Sequence, residues 1–335
     1  MSFGTRNWRC KMYYPYLRGR QNELLCLREL LEAKKLSKCV TPVLEPVKFS
    51  STFVSTLKKF AENERQIILI KNPIVGNFDD EYQKAVIDSE NADTEEKKAK
   101  LKNLLAEYDS VLKDKHICEA YLVDVKTVDK ILKMPEEKRE KIYLLNQNKG
   151  NDEFYIEHGN ELLVEASFIP KDEDFKDEVV GNAIILEDCY QKAKRNADYI
   201  DEPDVFFSKN HLVFARRGYQ GFSDYSIVGN EYDESGFAPV AIAIHIVYFG
   251  ERMELRVHHF VSDSNIGYSD APRKFEEAMD KLVEWDKLDQ IRKTRGGRTL
   301  INYYENGRFP GLGVIKKYSL MHHLELMGDF LEENI

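Results

Sequence analysis

Hydrophobic and polar residues follow two alternating periodicities over the first part of the chain. Residues 12–17 (MYYPYL) form a short aromatic run typical of a strand, and apolar residues at helical spacing follow over 23–31. The cycle repeats with 41–47 (TPVLEPV) as the strand and 50–52 (SST) as candidate N-caps of the next helix. Residues 66–72 (QIILIKN) form a nearly continuous apolar run, as expected of a parallel strand buried on both faces. This order predicts a parallel sheet covered by helices.

The middle of the chain continues the pattern after a charged interruption. Residues 79–115 are rich in Ala, Leu, Lys and Glu and predict a helical hairpin broken near Asn91, with a disordered charged segment as the alternative. Helical stretches are predicted at 127–139 and 190–196, and the connection between the fifth and sixth strands looks short and polar. Five further strands are predicted at 118–124, 141–146, 161–167, 183–188 and 222–228. With the first three they make eight, which predicts a partly degenerate (β/α)8 TIM-like barrel.

The last third of the chain does not continue the barrel pattern. Residues 239–249 and 253–261 alternate between apolar and polar positions around a turn at 250–252 and predict a β-hairpin. Helices are expected at 273–288 and 319–331. The predicted organisation is therefore a barrel over 12–230 with the helical insertion 79–115, and a hairpin with C-terminal helices over 231–335 that packs on the barrel.

Composition excludes several classes of protein but says little about the reaction. The chain has 335 residues, 42% of them hydrophobic, and a net charge of -9, which argues against broad attachment to nucleic acid. It has no apolar run of about 18 residues that could span a bilayer. Its five cysteines show no CxxC spacing, so neither a disulfide framework nor a cysteine zinc site is indicated. The first eleven residues lack the apolar stretch of a signal peptide, and we expect a cytoplasmic protein.

Six strings spread along the chain are distinctive together: 14–20 (YPYLRGR), 42–48 (PVLEPVK), 222–229 (FSDYSIVG), 241–245 (AIAIH), 258–263 (HHFVSD) and 309–324 (FPGLGVIKKYSLMHHL). Through these strings the chain resembles an uncharacterised bacterial family related to the phage-type "Beta protein" group. The resemblance implies a barrel protein encoded in mobile or antiphage defence neighbourhoods, and it carries no established reaction and no catalytic residue.

Ionisable or amide side chains end nearly every predicted strand. In a barrel the carboxyl ends of the strands build the functional site, so these side chains predict one mixed-charge ring. Its early strands are cationic and would bind a phosphorylated or nucleotide-like ligand, whereas its later strands are anionic and would hold a metal such as Mg²⁺ or activate water. The predicted ligand-binding residues are Arg18, Arg20, Glu45, Lys48, Lys71 and Asn72. The predicted catalytic residues are Glu187, Asp188, Asp224 and His258, and the predicted metal ligands are Glu165, Glu187 and Asp224.

These assignments give a metal-assisted phosphoester hydrolase as the first hypothesis. His258, or else His245, would act as general acid or base beside Asp224. Polar residues also gather at strand ends simply because chains reach water there, and the arginines of 18–20 (RGR) have Glu23 and Glu45 as alternative partners.

Two other hypotheses stay open, and whether the protein is an enzyme is uncertain. In one, the barrel is a non-catalytic interaction or sensor module whose hairpin and helices 79–115 recognise a protein partner. In the other, the basic run 292–298 is the footprint of a nuclease on nucleic acid, although a solvated loop is the favoured interpretation of that run.

Overall fold

Two sheets organise the chain in the computed structural model, which describes residues 12–233 and 240–334. The N-terminal segment 1–11, on which the expected absence of a signal peptide depends, and Cys10 lie outside these residues, as do the start of the predicted hairpin at 239 and Ile335. The twelve strands within these residues are β1 (Met12–Tyr13), β2 (Tyr16–Leu17), β3 (Val43–Leu44), β4 (Ile67–Ile70), β5 (Ile117–Leu122), β6 (Tyr143–Leu145), β7 (Ala166–Ile169), β8 (Ala183–Glu187), β9 (Asp204–Ser208), β10 (Gly221–Asp224), β11 (Ala243–Phe249) and β12 (Leu255–Val261).

The larger sheet is a curled, nine-stranded parallel sheet with the order β1-β10-β8-β7-β6-β5-β4-β3-β2. Each of the eight predicted strand positions overlaps a strand of this sheet, so the α/β class is confirmed. The outermost strands β1 and β2 are separated in sequence only by Tyr14 and Pro15. The N–H of Tyr14 donates to Phe222 O at 2.9 Å, and Pro15 O accepts from the N–H of Val43 at 2.9 Å.

Alternating side chains build two separate cores around this sheet, because successive residues of a strand point to opposite faces. In β4, Ile67 and Leu69 join the core beneath the helices, whereas Ile68 and Ile70 join an inner cluster. That inner cluster draws side chains from strands all along the sheet, from Tyr16 on β2 to Leu186 on β8. Within each strand, the residues that point into the curl therefore alternate with the residues that face the helices.

Thirteen α-helices are present in the described residues, and the predicted helical hairpin is confirmed as α3 and α4, with the break at the predicted place after Asn91. Ser50 is the N-cap of α2, and its hydroxyl accepts from Phe53 N–H at 3.2 Å. None of the helices in residues 12–233 and 240–334 has the length and apolar character needed to cross a membrane. The helices are α1 (Gln21–Glu32), α2 (Ser51–Glu62), α3 (Phe78–Asn91), α4 (Glu95–Val111), α5 (Val125–Leu132), α6 (Glu136–Arg139), α7 (Asp152–His158), α8 (Glu173–Glu178), α9 (Asn210–Val213), α10 (Ala271–Val283), α11 (Leu288–Lys293), α12 (Arg295–Glu305) and α13 (Leu312–Glu333).

Two connections differ from the sequence prediction. The connection before β7, which looks short and polar in the sequence, contains α7, and the N–H groups of Glu161 and Leu162 donate to the His158 carbonyl as that helix ends. For this reason β7 begins later than the predicted strand. No α-helix forms over 190–196, where a 3₁₀ turn at Asn196–Ile200 follows instead.

The smaller sheet is antiparallel, with the order β11-β12-β9. It confirms the predicted hairpin within the described residues and adds β9, a strand that lies inside the range predicted for the barrel. The final helix α13 packs against α1, α12 and β11, and so joins the two sheets. Its adjacent histidines, His322 and His323, are both fully buried.

Candidate functional site at the carboxyl ends of the strands

Arg18 and Glu45 form a buried ion pair where β2 and β3 end. Nη1 of Arg18 donates to Oε2 of Glu45. The Tyr16 hydroxyl donates to the same carboxylate oxygen at 2.7 Å, and the backbone N–H of Ile74 donates to the other oxygen at 2.9 Å. Both oxygens of the Glu45 carboxylate therefore accept hydrogen bonds. The sequence predicts Arg18 and Glu45 as ligand-binding residues, and the structure pairs them with each other.

The guanidinium of Arg18 is also enclosed on its remaining sides. Its Nη2 donates to the backbone oxygen of Asn230 at 2.5 Å and to Oδ1 of the same residue at 3.1 Å. Its Cζ lies 5.0 Å from the ring centre of Tyr16 and 5.4 Å from that of Tyr225, within the range of cation–π attraction. The amide of the exposed Gln147 donates to both tyrosine hydroxyls, at 3.4 and 3.2 Å. Nη1 and Nη2 of Arg18 are thus bonded to the protein's own groups, whereas its buried Nε has no hydrogen-bond partner among the described residues.

The turn at 18–20 separates the two arginines. Gly19 adopts φ +63, and a Cβ there would lie 3.2 Å from the backbone oxygen of Glu45. The backbone N–H of Arg18 donates to the buried carboxylate of Glu23 in the first turn of α1, at 2.7 Å. Burial raises the pKa of Glu23 above its ordinary value, against the opposing charges of Lys316 and Arg20. Arg20 itself turns away, where its guanidinium lies 4.7 Å from the Tyr232 ring centre and donates to Asp233 O.

The remaining predicted cations and the amide do not join Arg18. Lys48 is exposed. Lys71 lies over the ring of Tyr108 on α4, 5.9 Å from its centre, and burial lowers the pKa of Lys71 despite the opposing charge of Glu119. The amide of Asn72 bonds the backbone of Leu122 in both directions at 2.9 Å, which fastens the end of β4 to β5. We find no shared phosphate cradle among these side chains in the described residues.

Glu187 and Asp224 are register partners on the adjacent strands β8 and β10 and share the helix-facing side of the sheet, whereas Asp188 has the opposite alternation. Oε2 of Glu187 accepts from Lys171 Nζ at 3.3 Å and from Asn210 Nδ2 at 2.7 Å. The exposed Asp188 accepts from the backbone N–H groups of Tyr190 and Asn230, at 3.2 and 2.9 Å, and so holds the loop after β10.

The Asp224 side chain lies on the helix-facing side of the sheet, among the groups that contact α13. Its Oδ1 accepts from the Tyr13 hydroxyl at 2.8 Å and from the N–H of Ser226 at 2.7 Å. Burial raises the pKa of Asp224 to about 7, against the opposing effect of these two hydrogen bonds. A carboxyl with this pKa could exchange a proton near neutrality, but it is 2% exposed.

Glu165 corrects the predicted metal site, because it precedes β7 and lies at the amino ends of the strands. Glu187 and Asp224 end their strands, so the three carboxylates cannot share an edge of a parallel sheet. The shift follows from the late start of β7. Among residues 12–233 and 240–334, no group of three or more His, Cys, Asp or Glu side chains is placed to hold a metal ion.

The two candidate histidines lie on the smaller sheet and have other partners. Nδ1 of His258 lies 3.1 Å from Oδ2 of Asp204, not beside Asp224 as predicted. Nδ1 of His245 lies 2.7 Å from Nδ1 of His259 on the adjacent strand. Burial, with the proximity of His259, lowers the pKa of His245 well below its ordinary value, so this pair is neutral near pH 7.

The basic run 292–298 is a junction between α11 and α12. The guanidinium of Arg298 donates to the backbone oxygens of Arg292 and Lys293, at 2.9 and 2.6 Å. Gly296 and Gly297 are buried, whereas the four cationic side chains of the run are exposed. This arrangement matches the solvated segment that the sequence favours.

Sequence reasoning missed the residues that surround Arg18. Tyr16, Tyr225, Gln147 and Asn230 are uncharged, so a search for ionisable strand ends passes over them. Their signal in the sequence is position alone, since each lies within a few residues of a predicted strand end. The strings 14–20, 42–48 and 222–229, on which the family resemblance rests, supply Tyr16, Arg18, Glu45 and Tyr225 to this network.

No protein-family model matches the chain, and no curated protein matches it. Among solved structures, the open form of tryptophan synthase from M. tuberculosis is similar, with 9% identity, coverage of 64% of this chain and 83% of that one, and a TM-score of 0.25. A likeness at this level carries no argument about function, and the resemblance to the Beta protein group stays a prediction.

Proposed function

We propose that the protein is a non-catalytic interaction or sensor module built on an eight-stranded parallel barrel. Closure of the barrel is supported by the segment 12–17, whose backbone bonds to β10 through Tyr14 and to β3 through Pro15. The observation that carries the proposal is the engagement of the strand-end carboxylates by the protein itself. The engaged acids are Glu45, Asp124, Glu187, Asp188 and Asp224.

Metal-assisted hydrolysis requires at least one open coordination position and carboxylates that face one space. Here the best-placed acid, Glu45, is fully buried and bonded to Arg18, Tyr16 and Ile74. Removing one partner from a buried ion pair costs about 3–5 kcal/mol, so a ligand that took Arg18 from Glu45 would have to supply that free energy. The phosphoester hydrolase hypothesis has less support for this reason.

The helical hairpin α3–α4 is the surface that we propose for a protein partner. It adds a second helix to the connection between β4 and β5. Ile87 and Val86 of α3 are 59% and 38% exposed, although most apolar side chains of comparable size are buried. Single exposed apolar side chains are common on protein surfaces, whereas neighbouring ones with a polar rim mark interaction sites, and Val86 and Ile87 are adjacent on a charged helix. The family that the chain resembles supplies the proposed setting, a defence or mobile-element system.

Two measurements test the proposal. A photo-crosslinking residue at position 87, in cells of the source organism, should give a discrete crosslinked product, whereas the same residue at Ile156, which is 63% exposed on α7, should not. Purified wild-type protein with Mg²⁺ should not hydrolyse phosphodiester substrates. Any background hydrolysis should be the same in Glu187→Gln and in Asp188→Asn. Equal crosslinking at both positions would contradict the partner surface, and turnover lost in either variant would contradict the non-catalytic assignment.

A further inference from the structure

A cavity of about 790 Å³ opens at the end of the sheet opposite the Arg18 network. Its lining residues include the amino ends of most strands, from Met12 at the start of β1 to Gln220 just before β10. Ligand sites usually have volumes of about 300–1,000 Å³, so this cavity has the size of a small-molecule site. It lies where a parallel barrel ordinarily carries no site.

The cavity has an apolar, aromatic interior because the inward-facing side chains at this end are small. Cys118 and Ala166 take inward positions on β5 and β7, and leave space beside the rings of Tyr14 and Tyr143. Gly221 on β10 leaves the space that the Tyr14 ring occupies at the cavity wall, since a Cβ there would lie 2.6 Å from Cε2 of Tyr14. A flat ring has room and aromatic neighbours in this interior.

The rim carries an unusual set of charges. Lys115 and Lys141 line the cavity, are exposed and form no ion pair within the described part of the chain. Glu165 also lines it without an ion pair there, whereas Glu119 is paired with Lys138 at 3.5 Å. The unpaired groups are therefore two cations and one carboxylate. Burial, with the nearby charge of Glu165, raises the pKa of Cys118 to about 11, so the thiol adds no negative charge near pH 7.

We propose that this cavity binds a nucleoside phosphate, with the base between the inner aromatic side chains and the phosphate at Lys115 and Lys141. Stacking on tyrosine suits any nucleobase, and lysine ammonium groups bind phosphate as point charges. The carboxylate of Glu165 accepts from ribose hydroxyls. The amides of Gln66 and Gln220, which are also exposed at the rim, provide donors and acceptors for the edge of the base. This inference goes beyond the proposed function and is independent of the Arg18 network.

Isothermal titration of the full chain with adenosine 5′-monophosphate and guanosine 5′-monophosphate tests the site. At least one of them should bind more tightly than adenosine and more tightly than inorganic phosphate. Lys115→Gln and Lys141→Gln should each weaken that binding by about tenfold, since a charged hydrogen bond is worth about that factor. Lys113→Gln, an exposed neighbour that does not line the cavity, is the matched control and should bind as the wild type does.

Three outcomes would overturn the proposal. One is the absence of binding of both nucleotides at millimolar concentration. Another is equal affinity in the lysine variants and in the control. The third is tighter binding of phenylalanine or tryptophan than of either nucleotide, which would assign the cavity to a zwitterionic aromatic ligand instead. Thermal melting of each variant distinguishes loss of binding from loss of folding, and Glu165→Gln, which keeps the shape of the side chain, gives a second measurement at the same rim.

Discussion

Arg18 and Glu45 are 27 residues apart in sequence and meet as a buried ion pair, with side chains 4% and 0% exposed. Two consecutive parallel strands place them side by side, and the tight turn at Gly19 directs the arginine inward. The pair occupies the position at which a barrel enzyme would hold its ligand. The interaction free energy of Arg18 and Glu45 therefore decides whether the pair has a structural or a ligand-binding role.

Arg18→Met should lower the free energy of unfolding by about 3–5 kcal/mol, because it leaves the Glu45 carboxylate buried without its cation. The double variant Arg18→Met/Glu45→Gln should be more stable than the single variant, since it removes the uncompensated charge. Urea denaturation of the wild type, both single variants and the double variant measures the coupling. Additive effects would mean that the two side chains do not interact strongly.

Asp224→Asn should change the pH dependence of stability. Burial raises the pKa of Asp224 to about 7 in the folded state, so this carboxyl contributes stability at low pH that is lost as the pH rises through 7. Asparagine does not titrate, and its Oδ1 can still accept from Tyr13 and Ser226. Relative to the wild type, the variant should therefore gain about 2–3 kcal/mol between about pH 5 and pH 8. Denaturation curves at several pH values measure this, and a constant difference would contradict the raised pKa.

His322 should contribute to acid unfolding. It lies on α13, where its Nε2 donates to Val247 O at 2.8 Å and its Nδ1 lies 2.8 Å from the Thr294 hydroxyl. Burial lowers the pKa of His322 to about 4, so its contribution to stability is present above about pH 6.5 and is lost as the pH falls toward 4.

His322→Gln should therefore be destabilised relative to the wild type at pH 7, and the difference should shrink by about 2–3 kcal/mol as the pH falls to about 4. His158→Gln, at a partly exposed position on α7, is the control variant and is measured at the same pH values. Equal pH profiles for His322→Gln and the wild type would show that His322 does not titrate in this range.

Gly296→Ala should separate α12 from α13. A Cβ at position 296 would lie 2.5 Å from the backbone nitrogen of His322 and 2.6 Å from the carbonyl of Tyr318, and neither atom can move without the helix. Overpacking of this kind costs about 1–3 kcal/mol or more. Gly150→Ala, with no atom of the surroundings closer than 3.6 Å, is the control and should change thermal stability little. A melting temperature as high as that of the wild type would show that the two helices can move apart freely.

Local patterns in the sequence were enough to place most elements. The eight strand positions, the break in the α3–α4 hairpin after Asn91 and the N-cap Ser50 all follow from periodicity and capping, which depend on neighbouring residues only. The helix expected at 190–196 fails because Asp198 accepts from the backbone N–H of Arg195, at 3.2 Å, and fixes a 3₁₀ turn instead. That contact has no periodic signal.

The orientation of the charged side chains was decided by tertiary structure. The sequence by itself determined that ionisable residues end the strands, since strand ends are local features. It could not determine that Glu165 precedes its strand, that Asp224 faces α13 or that His258 meets Asp204, because each depends on strand register and on partners distant in the chain. A shift of one residue turns a strand side chain to the opposite face of the sheet, so only the assembled fold separates the engaged acids from the open cavity at the other end.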